Sequence, residues 1–140
     1  MATANIKATL LCPVEKVWEV VTDLQNYQWR SDLIKIETVK DDIFFEISKQ
    51  GIKTEFKVVK KETYKLWEFK IENDNIKGLW TGKFYRHGEH TTLDFTENVR
   101  AKKFYIIPFL GVYLRKQQRQ YFSDLKKRLD CDEAGKKQFL

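Results

Sequence analysis

The sequence of 140 residues is poor in most of the residues that would dictate an unusual architecture, with two cysteines, two prolines, six glycines, one methionine and two histidines. Cys12 and Cys131 lie almost at opposite ends and lack metal-like or redox-motif spacing. That argues against a disulfide framework and predicts reduced thiols in a cytoplasmic chain. No apolar run reaches the roughly 18 residues of a membrane span. The residues after Met1 show no basic-then-apolar pattern, so a soluble, unexported protein is expected. Catalytic signatures are missing as well: there is no Gly-rich phosphate loop, nucleophile elbow or His-x-x-x-His pair. His87 and His90 flank Gly88-Glu89 without a third ligand nearby, which reads as an exposed turn. No metal and no cofactor are expected.

What is present is a heavy aromatic load, 14% of the residues, within 42% hydrophobic and 33% charged. The length suits one domain able to bury about two-thirds of its surface. The net charge of +6 is unevenly placed. Residues 1–100 carry 16 basic and 16 acidic side chains, whereas residues 101–140 carry 10 and 4. A basic segment of this kind meets nucleic acid, an anionic membrane or an acidic ligand, or is simply the solvated face of a helix. The aromatics fall mostly on covered positions and do not interleave with the basic residues, so nucleic acid is not an expected partner.

Residues 3–11 alternate as a strand and end at Cys12-Pro13, where proline suits the first turn of a helix. Val14, Val17, Trp18 and Val21 then form an apolar stripe at helical spacing. Asp23 is placed to cap a second short helix through Tyr27, and Trp29, Arg30, Ser31 and Asp32 make a polar-aromatic corner. From Leu33 to Lys102, turn chemistry divides the chain into six strands. Their short connections imply an antiparallel meander. Alternation places Ile43, Phe45 and Ile47 on one face, and likewise Ile52, Phe56 and Val58, then Trp67, Phe69 and Ile71, then Leu93, Phe95, Glu97 and Val99. For the strand from Ile76 to Arg86 two parities stand, Ile76, Trp80 and Phe84 inward beside Gly78 and Gly82, or Leu79 and Tyr85 inward, and the first is preferred. A long amphipathic helix is predicted from about Val112 to Asp130, and the residues from Asp132 are expected to fray.

Cys12-Pro13-Val14-Glu15-Lys16-Val17-Trp18, followed by Asp23 and Trp29, together with Gly78-Leu79-Trp80-Thr81-Gly82 and Thr92-Leu93-Asp94-Phe95-Thr96-Glu97, resemble the START-like (SRPBCC) superfamily. The likeness is to its bacterial polyketide cyclase/dehydrase-type proteins. It covers about residues 3–130; Cys12 stands where the family more often has alanine. The resemblance implies an α+β helix-grip fold over residues 1–131. In that fold a curved seven-strand antiparallel sheet carries two short helices after strand 1, and a long C-terminal helix covers it. It also implies a hydrophobic cavity under that helix for a lipid, sterol-like or polyketide-like small molecule.

On this reading Trp67, Phe69, Trp80, Phe84 and Phe95 line the cavity, with Glu97, Tyr113, Gln117 and Tyr121 as polar contacts. Glu97 is the candidate catalytic residue. A carboxylate sharing parity with Leu93, Phe95 and Val99 either serves a ligand as orienting group or base, or pairs with a nearby cation. A cyclase or dehydratase using the same cavity is the alternative to binding. Residues 104–114 are nearly all apolar between Lys102-Lys103 and Arg115-Lys116. They read as a lead-in to the helix, a lid, a contact for a homodimer, or a peripheral anchor on an anionic membrane. Monomer and homodimer both stay open.

Overall fold

Each strand finds its neighbour through a short turn, and the sheet follows from that. A computed structural model describes residues 1–129. The elements are β1 (Ala2–Leu10), α1 (Val14–Thr22), β2 (Leu33–Lys40), β3 (Ile43–Ser48), β4 (Lys53–Glu62), β5 (Leu66–Glu72), β6 (Ile76–His87), β7 (His90–Ala101), a 3-10 turn (Phe104–Ile106) and α2 (Ile107–Leu129). The seven strands form one antiparallel sheet in the order β1-β7-β6-β5-β4-β3-β2. The predicted meander is β2 to β7. β1 departs from it by pairing with β7, from Ala2 opposite Val99 to Leu10 opposite Thr91.

α1 buries Val14, Val17, Trp18 and Val21, the stripe expected from the spacing. The buried Thr91 hydroxyl donates to the Cys12 carbonyl at 2.8 Å and ties the start of α1 to the sheet. The second short helix does not form, and residues 23–32 are turns and bends. The Asp23 carboxylate accepts from the backbone N–H groups of Gln25 and Asn26 and from the Asn26 side chain. This gives the chain a local alternative to helical bonding. Cys12 is disulfide-bonded, contrary to the reduced thiol expected. The cysteine argument for a reducing compartment therefore loses its premise, and Cys131 and the expected frayed tail lie outside the described residues.

The inner face of the sheet is aromatic. On β6 Trp80 and Phe84 point inward, and the glycines are needed there: a Cβ on Gly82 would overlap the Trp80 indole, and one on Gly78 would meet the Val99 backbone. On β3 the expected parity is reversed. Phe44, buried, stacks on Phe56 with ring centroids 4.9 Å apart, while Phe45 lies under the Lys53 ammonium. The register opposes Phe44 to Phe56, so the partner strand and not the local run of apolar residues fixes which side faces in.

α2 begins at Ile107, five residues earlier than predicted, with Pro108 in the first turn, where its missing N–H costs no helical bond. Leu110, Leu114, Gln118, Phe122, Leu125 and Leu129 are buried on one side, chiefly against β1. At the far end the Lys16 ammonium donates to the Leu129 carbonyl at 3.0 Å. Burying four leucines and one phenylalanine contributes about 1.5–3 kcal/mol each, enough to hold an otherwise polar helix on the sheet.

Candidate functional site

Between the inner face of the sheet and α2 lies a cavity of about 140 Å³. Its walls include Trp67 and Phe69 from β5, Trp80 from β6, Phe95 and Glu97 from β7, and Tyr113, Gln117 and Tyr121 from α2. Phe84 is not among them. It packs edge-on against Trp18 at 4.9 Å and against Phe95 at 5.7 Å, filling the space under α1. Phe69 and Trp80 lie face to face, with centroids 4.6 Å apart and planes 4° from parallel. That flat stack depends on Gly82, since any side chain there would push the indole off its neighbour.

The cavity lining also carries a charged cluster, Arg30 with Asp32 and Glu46, that the spacing of the motifs does not bring together. Arg30 gives hydrogen bonds to both oxygens of Glu46 at 3.2 Å and to Asp32 at 3.0 and 3.1 Å. Its guanidinium also lies 4.9 Å from the centre of the Tyr121 ring. Burial opposes the Arg30 charge, and the Glu46 and Asp32 carboxylates more than offset it, so its pKa stands above the ordinary arginine value. The corner is anchored to α2 through Asp124, which accepts from the Ser31 N–H at 2.8 Å and the Ser31 hydroxyl at 2.7 Å. Alternation that puts Phe45 on the inner face puts Glu46 on the outer one, and the structure reverses both, with Phe44 and Glu46 in the cavity lining. The usable signal was a lone acid in the middle of an apolar strand, preceded by an arginine in the polar-aromatic corner.

Glu97 sits on the wall opposite Trp80 across the β6–β7 ladder. Its side chain is half-buried and belongs to the cavity lining. Burial pushes its carboxyl up to about 7 and the Glu46 carboxylate acts in the same direction, against the Gln118 amide and the Arg30 guanidinium. Burial likewise raises Tyr113, assisted by Asp32 and Glu97, and raises Tyr121, against the pull of Arg30. Among the described residues two buried side-chain donors lack a partner. The indole N–H groups of Trp29 and Trp67, both in the cavity wall, are buried without an acceptor. A buried donor left unpaired costs about 1–3 kcal/mol, so an oxygen atom able to reach either N–H would be stabilised there.

The arrangement suits an uncharged, mostly apolar guest with a few oxygen atoms. Glu97 is able to hold or release a proton near neutral pH. Among the described residues no group of three His, Cys, Asp or Glu side chains is placed to hold a metal ion, and no helix is long and apolar enough to cross a membrane.

No protein-family model matches the sequence, and no curated protein matches it significantly. Solved structures do match. A START superfamily protein from Mycobacterium smegmatis aligns with a TM-score of 0.83 at 12% identity, covering 93% of this chain and 98% of that one. The Zhui aromatase/cyclase from Streptomyces sp. R1128 aligns with a TM-score of 0.81 at 10% identity over 91% and 93% of the two chains. A conserved protein from Geobacillus kaustophilus gives a TM-score of 0.80 at 14% identity over 91% and 94%. The fold of this chain is that of the START-like, polyketide cyclase-type proteins.

Proposed function

We propose that this START-like protein binds a small, mostly apolar molecule carrying oxygen atoms in the cavity between the sheet and α2. The observation that supports the reading is an aromatic void whose wall holds unpaired donors at Trp29 and Trp67 beside a carboxyl at Glu97 with its pKa near 7. A carbonyl or hydroxyl oxygen on the guest would take those N–H groups, and the protonated carboxyl would donate or accept a further hydrogen bond. Size narrows the guest. At about 140 Å³ the void is comparable with the roughly 150 Å³ that takes benzene. It is well below the roughly 300 Å³ at which pockets for larger ligands begin. A single-ring phenol or cyclic ketone fits these bounds better than a sterol or a long acyl chain.

Native mass spectrometry of protein purified from its source, followed by solvent extraction, tests the reading directly. A bound species with one ring and one or two oxygens is the expected result. A protein that is always empty, and whose tryptophan fluorescence responds to no phenol or cyclic ketone, overturns it.

A second reading, a cyclase- or dehydratase-type enzyme in the same cavity, is favoured by one observation. A carboxyl with a pKa of about 7 is poised both to give and to take a proton at neutral pH. Glu97→Gln should then abolish turnover of the extracted ligand while leaving its binding within a few-fold of the parent. Unchanged turnover refutes the reading.

A further inference from the structure

The first turns of α2 are apolar on two faces, and only one of them is covered. Leu110 and Leu114 face the sheet and are buried. Phe109, Val112 and Tyr113 are exposed, and with Lys116 they follow one another at i, i+3, i+4 and i+7 along a single stripe. Just before them Phe104, Tyr105 and Ile107 are exposed too. Phe104 is 84% and Phe109 69% accessible. Isolated exposed apolar side chains are ordinary, but six within ten residues form a contact surface.

The charge around this surface has one sign. Residues 98–123 contain six basic side chains, Arg100, Lys102, Lys103, Arg115, Lys116 and Arg119, and no acidic one. Lys102 is held by Glu72 at 2.6 Å. Arg115, Lys116 and Arg119 are exposed and make no ion pair among the described residues.

We infer that this face docks on an anionic bilayer surface, with Phe104, Phe109 and Val112 entering the boundary between headgroups and acyl chains and the basic residues lying on lipid phosphates. A second copy of the chain is a poorer occupant. A two-fold dimer through this patch would set the same basic residues against one another. Tyr113 belongs both to the exposed stripe and to the cavity wall, so docking brings the cavity edge to the lipid. The inference rests on the surface alone and holds whatever the cavity contains.

Sedimentation of the purified full chain with vesicles tests it, comparing phosphatidylcholine alone with phosphatidylcholine mixed with phosphatidylglycerol. Binding to the anionic vesicles should be at least about tenfold stronger, given the several basic residues near the surface, and should weaken as salt is raised. The double variant Phe104→Ser/Phe109→Ser should lower that binding about tenfold or more. Its melting temperature should match the parent, because both side chains are exposed. Three results overturn the inference: no vesicle binding at low salt, equal binding to neutral and anionic vesicles, or a concentration-dependent dimer in analytical ultracentrifugation that the double variant dissolves.

Discussion

The guanidinium of Arg30 lies 4.9 Å from the centre of the Tyr121 ring while its N–H groups hold Glu46 and Asp32. One side chain thereby joins the corner after α1, the inward acid of β3 and the cavity face of α2. Arg30→Met removes the cation that pairs with both carboxylates of this cluster and leaves Glu46 and Asp32 without that partner. Breaking such a pair from one side costs about 3–5 kcal/mol, and urea unfolding should show a loss of that size. Adding Glu46→Leu should restore most of it. An Arg30→Met protein within 1 kcal/mol of the parent would show that the cluster contributes little.

Glu97 gives a pH signature of definite sign. Its folded pKa of about 7 exceeds the ordinary 4.5, so the native state binds more protons than the unfolded chain between those values. Its contribution to stability is full below about pH 4.5 and is lost as pH rises through about 7. At about 1.4 kcal/mol per pH unit the loss is at most about 3.5 kcal/mol, reduced wherever water reaches the carboxyl through the cavity. Glu97→Gln removes this dependence. The variant should match the parent at pH 4.5 and exceed it at pH 8 in thermal unfolding followed across that range.

Gly82→Ala places a methyl group on the Trp80 indole and close to Phe95. Overpacking of this kind costs about 1–3 kcal/mol. In a Trp80→Phe background, where the smaller ring vacates that space, the same substitution should cost less than half as much. A double-mutant cycle by denaturant unfolding measures the difference, and purely additive costs would refute the contact.

Trp67→Phe deletes an unpaired donor together with part of a ring. The lost packing and the relieved N–H oppose each other, so stability should stay within about 1 kcal/mol of the parent. Ligand preference should move instead. The ratio of phenol to benzene affinity should fall about tenfold, equivalent to one lost hydrogen bond of about 1.4 kcal/mol, as read by titration calorimetry. An unchanged ratio would mean that this N–H does not meet the guest.

The meander, the stripe of α1 and the glycine-tryptophan packing of β6 were legible because each depends on spacing within one element or on turn residues between neighbours. Phe44 and Glu46 were not. In Ile43-Phe44-Phe45-Glu46-Ile47 the apolar residues occupy both parities, and only the register to Phe56 and the cation at Arg30 decide which face is inner. The second short helix failed for a related reason: Asp23 satisfies the N–H groups of Gln25 and Asn26 itself, and propensity gives no warning of that. Glu97 was visible as an acid in an apolar register. Its elevated pKa was not, since the Glu46 carboxylate that contributes to it comes from a different part of the chain.

β1 has a consequence for the order in which the chain acquires its form. Its single sheet partner among the described residues is β7, with Ala2 opposite Val99 and Ala8 opposite Leu93. Every other strand pairs with a neighbour already made or next to be made. During synthesis the first strand therefore waits, unpaired and with α1 attached, until the last strand has emerged. Closing so long a loop is slow relative to forming hairpins, so the β2–β7 meander should gain protection from hydrogen exchange before β1 does. Because α2 packs chiefly on β1, the wall that completes the cavity should be the last of the described elements to settle.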